Sequence, residues 1–277
     1  MDAVLLFSGQ GAQKVGMGKD LYDQYPVAKA LIEQADKALG ESLSAVMFEG
    51  PGEELTRTCN CQPALYVHGL ACLAVLKELV PSLNPVAAAG LSLGEFTAHA
   101  AAGTYSFEEG LRLVQKRGAF MEEACNATKG TMAAMIGGTD ENVIKLAQEC
   151  DVDVANFNCP GQTVVSGTEE GVAKAVAGAK AAGCKIAKKL NVAGAYHSRL
   201  MHSAMVKLAE ELKNISFGTP SMPVYCNYEA RVVEGPDDIR SMLEHQVCGS
   251  VRWTASMQKL VDQGHRLFID LGPGKTL

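Results

Sequence analysis

A serine flanked by glycines follows a run of small apolar residues and constrains the fold more than any other feature of the chain. The segment Ala87-Ala-Ala-Gly-Leu-Ser-Leu-Gly94 continues into an alanine-rich stretch, which predicts a strand, a sharp turn and a helix. Glycines two positions on either side of Ser92 allow a turn so tight that the hydroxyl projects from the backbone. Ser92 is therefore a candidate nucleophile, and the backbone N–H of Leu93 is a candidate oxyanion donor. The pentapeptide alone also fits an ordinary loop serine.

The composition predicts a soluble protein with a sizeable core. The 277 residues suit a large α/β domain, alone or carrying a smaller insert, and 47% of them are hydrophobic. A formal charge of -6 offers no general attraction for nucleic acid or for anionic membranes. No apolar run approaches the roughly 20 residues that span a bilayer, and no secretory signal is apparent. These features predict a cytoplasmic protein, or one from a plastid or other organelle matrix if a transit peptide was removed.

The nine cysteines do not form a recognisable metal or disulfide pattern. No C-x-x-C pair occurs, and the closely spaced Cys59 and Cys61 have no partner pair. The sequence therefore predicts neither a metal site nor a bound cofactor.

A glycine-rich loop follows the first predicted strand, Val4 to Phe7. It matches neither a dinucleotide fingerprint nor a P-loop, so its contribution is exposed backbone N–H groups, with Gln10 well placed to offer one. Helical patterns follow over 19–39 and over 62–79, and the second is apolar nearly all round, as expected for a helix packed within an α/β layer. His68, inside that helix, is interpreted as a core histidine.

A capping box, Ser106-Phe-Glu-Glu109, predicts a helix that runs to about Glu123. One face of this helix is apolar except for Arg117. A cation on an apolar face is costly unless an anion meets it. Arg117 therefore either binds an anionic ligand, pairs with a structural carboxylate or extends to the surface.

The pattern changes after Thr131 to the order β-α-β-β-α-β, which is the ferredoxin-like arrangement. The predicted elements are 131–136, 140–150, 152–158, 163–166, 169–182 and 185–190. The chain then returns through His197, at a junction of small residues where a side chain can face a cleft. The remaining segment predicts strands at 224–227 and 267–270, with helices opening at Pro236 and Trp253.

Taken together, these segments resemble the malonyl-CoA:acyl carrier protein transacylase family along essentially the whole chain. The matching stretches are Gly9-Gln-Gly-Ala-Gln13, Gly90-Leu-Ser-Leu-Gly-Glu95, Gln115-Lys-Arg-Gly118, Asn156-Phe-Asn-Cys-Pro-Gly-Gln162, Gly194-Ala-Tyr-His-Ser198, Val251-Arg-Trp253 and Gly272-Pro-Gly-Lys275. The resemblance implies an α/β fold in which a large α/β-hydrolase-like domain with a parallel sheet carries a small inserted ferredoxin-like domain. The large domain is then 1–127 and 192–277, and the insert is 128–191.

The resemblance also implies roles for individual residues. Ser92 falls on the nucleophile, His197 on the general base and Gln246 on the residue whose backbone carbonyl orients the imidazole. The Gln246 side chain is therefore expected to be dispensable, so that Gln246→Ala should lose far less activity than His197→Ala. The remaining correspondences are the oxyanion-hole amides of Gln10 and Leu93, the carboxylate-binding Arg117, and the pocket-lining Met121 and Met132. The implied partners are malonyl-CoA and acyl carrier protein.

Two positions depart from the family pattern. Leu91 stands where histidine usually precedes the nucleophile, and Ser8 stands where proline is usual. Neither position belongs to the implied dyad, but Leu91 leaves the fine acyl preference open.

The implied reaction is malonyl transfer through a malonyl-serine intermediate, which supplies fatty acid synthesis. The sequence leaves three alternatives: a serine thioesterase or other hydrolase, a non-catalytic docking subunit, and an acyltransferase that loads a polyketide carrier. Because carrier proteins are acidic and this chain is net negative, a local basic patch is expected. The predicted patch is Lys185, Lys188, Lys189 and Arg199.

Overall fold

The computed structural model describes residues 1–275 and 277. Its strands are β1 (Asp2–Phe7), β2 (Asn84–Gly90), β3 (Gly130–Ile136), β4 (Asp153–Cys159), β5 (Gln162–Thr168), β6 (Ile186–Lys189), β7 (Val224–Tyr225) and β8 (Phe268–Asp270). They form two four-stranded sheets, ordered β7-β2-β1-β8 and β4-β5-β3-β6.

The helices before the second sheet are α1 (Lys19–Gln24), α2 (Pro26–Leu39), α3 (Leu43–Glu49), α4 (Gly52–Thr56), α5 (Thr58–Leu79), α6 (Leu93–Ala101) and α7 (Phe107–Ala127). Those within and after it are α8 (Asp140–Glu149), α9 (Glu169–Gly178), a 3₁₀ turn (Arg199–Met201), α10 (His202–Lys213), α11 (Pro236–Gln246) and α12 (Trp253–Asp262).

The first sheet is parallel throughout and is covered on both faces. Along β1, Leu5 and Phe7 point into the core formed with α5, α6 and α7, whereas Val4 and Leu6 point into a second core that includes Trp253 of α12. Because alternate residues of a strand point to opposite faces and both faces of this sheet are covered, consecutive residues of β1 have to be apolar. The fold predicted from the sequence is confirmed in this respect.

The second sheet is antiparallel and has the ferredoxin-like order, as predicted. All its strands lie between Gly130 and Lys189, and α8 and α9 enclose its own small core. The boundaries at 127/128 and 191/192 stay a prediction.

Some helix boundaries differ from the prediction. The predicted helix over 19–39 is two helices, because Tyr25 before Pro26 is extended at φ -125°, ψ 113°. Helix α5 begins at Thr58 rather than Gln62. The capping box at the start of α7 forms as predicted, and Glu109 reaches back to the Ser106 backbone.

Helix α5 is the one helix of the described residues that is long and apolar enough to cross a membrane. Most of it is buried, however, and it packs against α2, α6 and α7. Its apolar surface is therefore accounted for by the protein core.

Hydrogen bonds join the second sheet to the segment before α12. Val251 donates its N–H to the Ala155 carbonyl and accepts the Phe157 N–H, while the Thr254 hydroxyl donates to the Phe157 carbonyl. Strand β4 is thereby held beside the carboxyl edge of the parallel sheet, where Ser92 lies.

Candidate active site

The turn between β2 and α6 places Ser92 at the carboxyl edge of the parallel sheet. Its backbone has the positive φ that is unusual for a serine, with φ 55° and ψ -107°. A Cβ at Gly90 would lie 1.9 Å from the Gly94 carbonyl carbon, and a Cβ at Gly94 would lie 2.0 Å from the Phe7 oxygen. Both glycines are therefore required by close backbone approach. The strained serine is held by Asn227, whose Oδ1 accepts the Ser92 N–H at 2.6 Å and whose Nδ2 donates to the Gly90 carbonyl.

The structure brings Ser92 and His197 into contact, although they are 105 positions apart. His197 Nε2 lies 2.8 Å from Ser92 Oγ, and His197 Nδ1 lies 2.9 Å from the Gln246 backbone oxygen. Since a carbonyl can only accept, Nδ1 carries the proton and Nε2 is free to accept one from the serine. Burial and the Arg117 charge lower the pKa of the His197 imidazole to about 4, so it is neutral at neutral pH.

The Gln246 side chain takes part in the hydrogen-bond network of the site, as its backbone carbonyl does, and its expected dispensability for activity stays a prediction. Its Oε1 accepts from Arg117 Nη2 at 2.9 Å. Its Nε2 donates to Glu95 Oε2 at 2.6 Å and to the Ser92 carbonyl at 2.9 Å. The amide is completely buried and joins the nucleophile turn to the guanidinium.

Arg117 contacts Ser92 from the protein interior rather than from the cavity, and it is 1% exposed. Its Nη2 donates to Ser92 Oγ at 3.2 Å, and its Nη1 donates to Gln62 Oε1 at 2.7 Å. The guanidinium also lies 5.0 Å from the centre of the Phe96 ring. Burial lowers the pKa of Arg117 to about 10, so the side chain stays charged at neutral pH. No carboxylate of the described residues forms a salt bridge with it.

Glu95 and Asn227 complete the polar network and were missed as site residues. Glu95 Oε2 accepts the backbone N–H of Asn227 at 2.9 Å and the Gln246 amide. The only signal in the sequence was a glutamate next to Gly94, inside a helix that otherwise reads as apolar. Asn227 had no local signal, because it reaches Ser92 across 135 positions.

The backbone N–H groups of Gln10 and Leu93 are both available to a ligand. Neither donates a hydrogen bond to another of the described residues, and Leu93 is the first residue of α6, where helical N–H groups are unpaired. The Gln10 side chain is oriented by a 3.4 Å hydrogen bond from Nε2 to the Tyr196 hydroxyl. The two amides are thus suited to an oxyanion, and that role stays a prediction.

A cavity of about 900 Å³ opens in front of Ser92 and His197. Met121 and Met132 line it, as do residues of the second sheet and of α12. Arg117 is not among the lining residues and reaches the cavity only at Ser92 Oγ. Within 1–275 and 277, no group of three His, Cys, Asp or Glu residues is placed to hold a metal ion.

Comparisons with known proteins agree with this geometry. The model of the acyl transferase domain family matches residues 4–277. The malonyl CoA-acyl carrier protein transacylase of Bacillus subtilis is 44% identical, with 98% of this chain and 87% of the relative aligned. A polyketide biosynthesis malonyl CoA-acyl carrier protein transacylase of Bacillus velezensis is 41% identical, over 98% of this chain and 93% of the relative.

A solved complex of a malonyl-transacylase with a type II polyketide synthase acyl carrier protein has a similar fold. It superposes with a TM-score of 0.96 at 36% identity, covering 100% of this chain and 90% of that one. Nearly full coverage in both directions means that the similarity includes both sheets. The chain is therefore an acyltransferase that belongs to the malonyl CoA-acyl carrier protein transacylase family.

Proposed function

We propose that the chain transfers the malonyl group of malonyl-CoA to the phosphopantetheine thiol of acyl carrier protein through a malonyl ester on Ser92. The observation that carries this proposal is the position of Ser92 Oγ, 2.8 Å from a neutral imidazole nitrogen and 3.2 Å from a buried guanidinium. The imidazole supplies the base for acyl transfer, and the guanidinium supplies a cation for a substrate that carries a free carboxylate.

In the first half-reaction, Ser92 Oγ attacks the thioester carbonyl while His197 Nε2 takes the hydroxyl proton. The oxygen of the tetrahedral intermediate lies between the N–H groups of Gln10 and Leu93. The intermediate then expels coenzyme A, and the His197 proton goes to the leaving thiolate. The Gln246 carbonyl stabilises the imidazolium in the position where another enzyme would use a carboxylate.

In the second half-reaction, the carrier thiol gives its proton to His197 and attacks the malonyl ester. The Ser92 oxygen leaves as the ester bond breaks and recovers the proton from His197, so both products are neutral at the reacting atoms. Water must be kept from the same attack. Pairing of the malonyl carboxylate with Arg117 fixes the ester in one orientation and occupies space beside Ser92, which favours the thiol delivered through the cavity.

Intact-mass measurement after mixing with malonyl-CoA tests the proposal. We expect a malonyl adduct that disappears in Ser92→Ala and that forms about 10⁴ to 10⁶ times more slowly in His197→Ala, the range found when residues of one acyl-transfer unit are removed. Ser42→Ala is the matched control, because Ser42 is exposed and outside the cavity. A malonyl adduct on Ser92→Ala would overturn the assignment.

The lifetime of the adduct separates a transferase from a hydrolase. A transferase keeps the ester in water and loses it on addition of holo-acyl carrier protein, whereas a thioesterase loses it in water alone. Adding carriers from fatty acid synthesis and from polyketide synthesis in parallel identifies the pathway. We propose the fatty acid carrier as the natural partner, and the 41% identical polyketide relative makes the polyketide carrier the second candidate.

A further inference from the structure

The buried carboxylate of Glu95 has no role in the reaction derived above. It is completely buried in the first turn of α6, one turn from the nucleophile. Its Oε2 accepts two N–H groups, but its Oε1 has no partner among the described residues. An oxygen of a buried carboxylate is rarely left unpaired, because the cost of removing it from water is not recovered.

A single amide side chain joins this carboxylate to the guanidinium. Gln246 turns its nitrogen toward Glu95 at 2.6 Å and its oxygen toward Arg117 at 2.9 Å. Each end of the amide therefore meets the charge that it can stabilise. In the reverse orientation the amide nitrogen would face the guanidinium donors and the amide oxygen would face the carboxylate, so neither hydrogen bond could form. Glu95 and Arg117 are thus linked through one amide, without direct contact.

The amide also keeps the two charges apart. The other guanidinium contacts are to neutral groups, Gln62 and Ser92, and Arg117 Nε has no partner among residues 1–275 and 277. Arg117 is thus stabilised by a negative charge it does not touch. A substrate carboxylate can therefore bind the guanidinium directly, beside Ser92, without first breaking a salt bridge.

We infer that Glu95 is the counter-charge of Arg117 and that it takes up one proton, on its unpartnered Oε1, when a malonyl carboxylate binds the guanidinium. The inference rests on the proposed function of the site. Two carboxylates and one guanidinium in a buried cluster leave a net negative charge, and a proton taken from solvent by Glu95 restores neutrality. Oε1 is the oxygen that takes the proton because Oε2 already accepts two N–H groups.

Protonation of Glu95 falls in the range where the enzyme can be assayed. Burial raises the pKa of the Glu95 carboxyl to about 7, and the bonds from Asn227 and Gln246 oppose that shift. The neighbouring titratable groups do not compete for the proton near neutral pH, because burial shifts the pKa values of the histidines, the tyrosine and the cysteine away from 7 and leaves that of Arg117 well above it. These groups are His99, whose pKa is lowered to about 3, His197, whose pKa is lowered to about 4, Tyr105 and Cys226, whose pKa values are raised, and Arg117 at about 10.

The sign of the pH effect follows from proton uptake. If the bound state holds more protons than the free state, binding strengthens as the pH falls. A malonyl thioester should therefore bind about three to ten times more tightly at pH 6 than at pH 8.5, within the limit of tenfold per pH unit for one coupled proton. An acetyl thioester, which brings no charge to Arg117, should bind with the same affinity at the two pH values.

Calorimetry on the full chain with Ser92→Ala, which prevents acylation, measures this directly. The ligand is malonyl-pantetheine, since it lacks the phosphates of coenzyme A that titrate in the same range. Comparing buffers of different ionisation enthalpy at pH 7 gives the number of protons taken up. We expect a fraction of one proton with the malonyl ligand and none with acetyl-pantetheine.

Glu95→Gln on the same background identifies the group. A glutamine keeps an oxygen for the Asn227 and Gln246 donors and removes only the charge, so proton uptake should vanish and the affinity should become independent of pH. Proton uptake that persists in Glu95→Gln overturns the inference. Absence of proton uptake in Ser92→Ala with Glu95 intact also overturns it, and this measurement does not depend on the folding of the Glu95 variant. The proposed function fails separately, if unsubstituted protein forms no malonyl adduct.

Discussion

The backbone of Ser92 is strained, and neighbouring residues stabilise it. A serine with a positive φ is unfavourable by about 1–3 kcal/mol, and the structure offsets this with the Asn227 side chain and two glycines at the closest backbone contacts. The glycines around Ser92 are a local signal that predicted a candidate nucleophile, whereas the assignment of His197 as its base came from the family resemblance. The sequence did not predict Glu95 or the Gln246 side chain, because their partners are 132 and 151 positions away.

Substitution of Arg117 tests whether its charge selects the substrate. In Arg117→Ala, the malonyl carboxylate becomes the unpaired buried group, so we expect a strong loss of malonyl transfer and a relative gain for acetyl-CoA. Arg117→Lys should recover only part of the malonyl activity, because one ammonium cannot donate two parallel hydrogen bonds. The measurement is the ratio of kcat/KM for malonyl-CoA over acetyl-CoA in all three proteins. An unchanged ratio in Arg117→Ala would mean that another group reads the carboxylate.

The lowered pKa of His197 predicts the acid limit of the acylation rate. The imidazole accepts a proton only when neutral, and a pKa of about 4 keeps it neutral as the pH falls well below the ordinary value of 6.5. At saturating malonyl-pantetheine, the rate of adduct formation should stay flat down to about pH 5 and fall below it. Arg117→Ala removes one cause of the shift, so its acid limit should move to higher pH. Circular dichroism at each pH confirms that the chain is folded, and a limit near 6.5 in the unsubstituted protein would refute the prediction.

At the scale of elements, the contact between β1, β2 and α6 fixes the nucleophile turn. Gly94 is where α6 passes over the Phe7 carbonyl, and no side chain fits between them. The sequence predicted this strand-turn-helix unit and the capped helix α7 because both have strong local signals. It missed the break before Pro26 and the short helices α3 and α4, which depend on packing more than on pattern.

Gly94→Ala should therefore destabilise the fold and displace Ser92. We expect a loss of about 1–3 kcal/mol in the free energy of unfolding, as for overpacked cores, together with a large loss of adduct formation. Gly52→Ala is the matched control, since its added Cβ would meet only Val15 at 3.8 Å in the first turn of α4. Urea unfolding followed by circular dichroism measures the difference. Equal stability of the two variants would show that α6 can move away from β1.

At the scale of the whole molecule, the second sheet carries exposed lysines next in sequence to residues that line the cavity. Strand β6 is an edge strand with exposed lysines, and the residues that follow it, Leu190 to Ala193, line the cavity. Arg199, predicted to belong to the same patch, is instead paired with Asp151 and Asp153, so its charge is neutralised. The sequence could not show this pairing, because Asp153 is 46 positions away on another element.

Charge reversal on β6 and at the residue before it tests the role of these lysines in binding the acidic carrier. We expect Lys185→Glu with Lys188→Glu to raise KM for holo-acyl carrier protein and to leave acylation by malonyl-pantetheine nearly unchanged. Lys77→Glu is the control, because Lys77 is exposed at the end of α5, next to the start of β2 and away from Ser92. The effect should shrink as salt is added. Equal damage to both half-reactions would exclude a docking role.

The parallel sheet with β8 beside β1 has a consequence for synthesis on the ribosome. The serine emerges early, but the residues that support it, Asn227 and Gln246, and strand β8 emerge at least 135 positions later. Because these contacts are distant in sequence, they form late and slowly. A growing chain that already contains Ser92 and His197 therefore lacks the contacts that hold the nucleophile turn in its strained conformation.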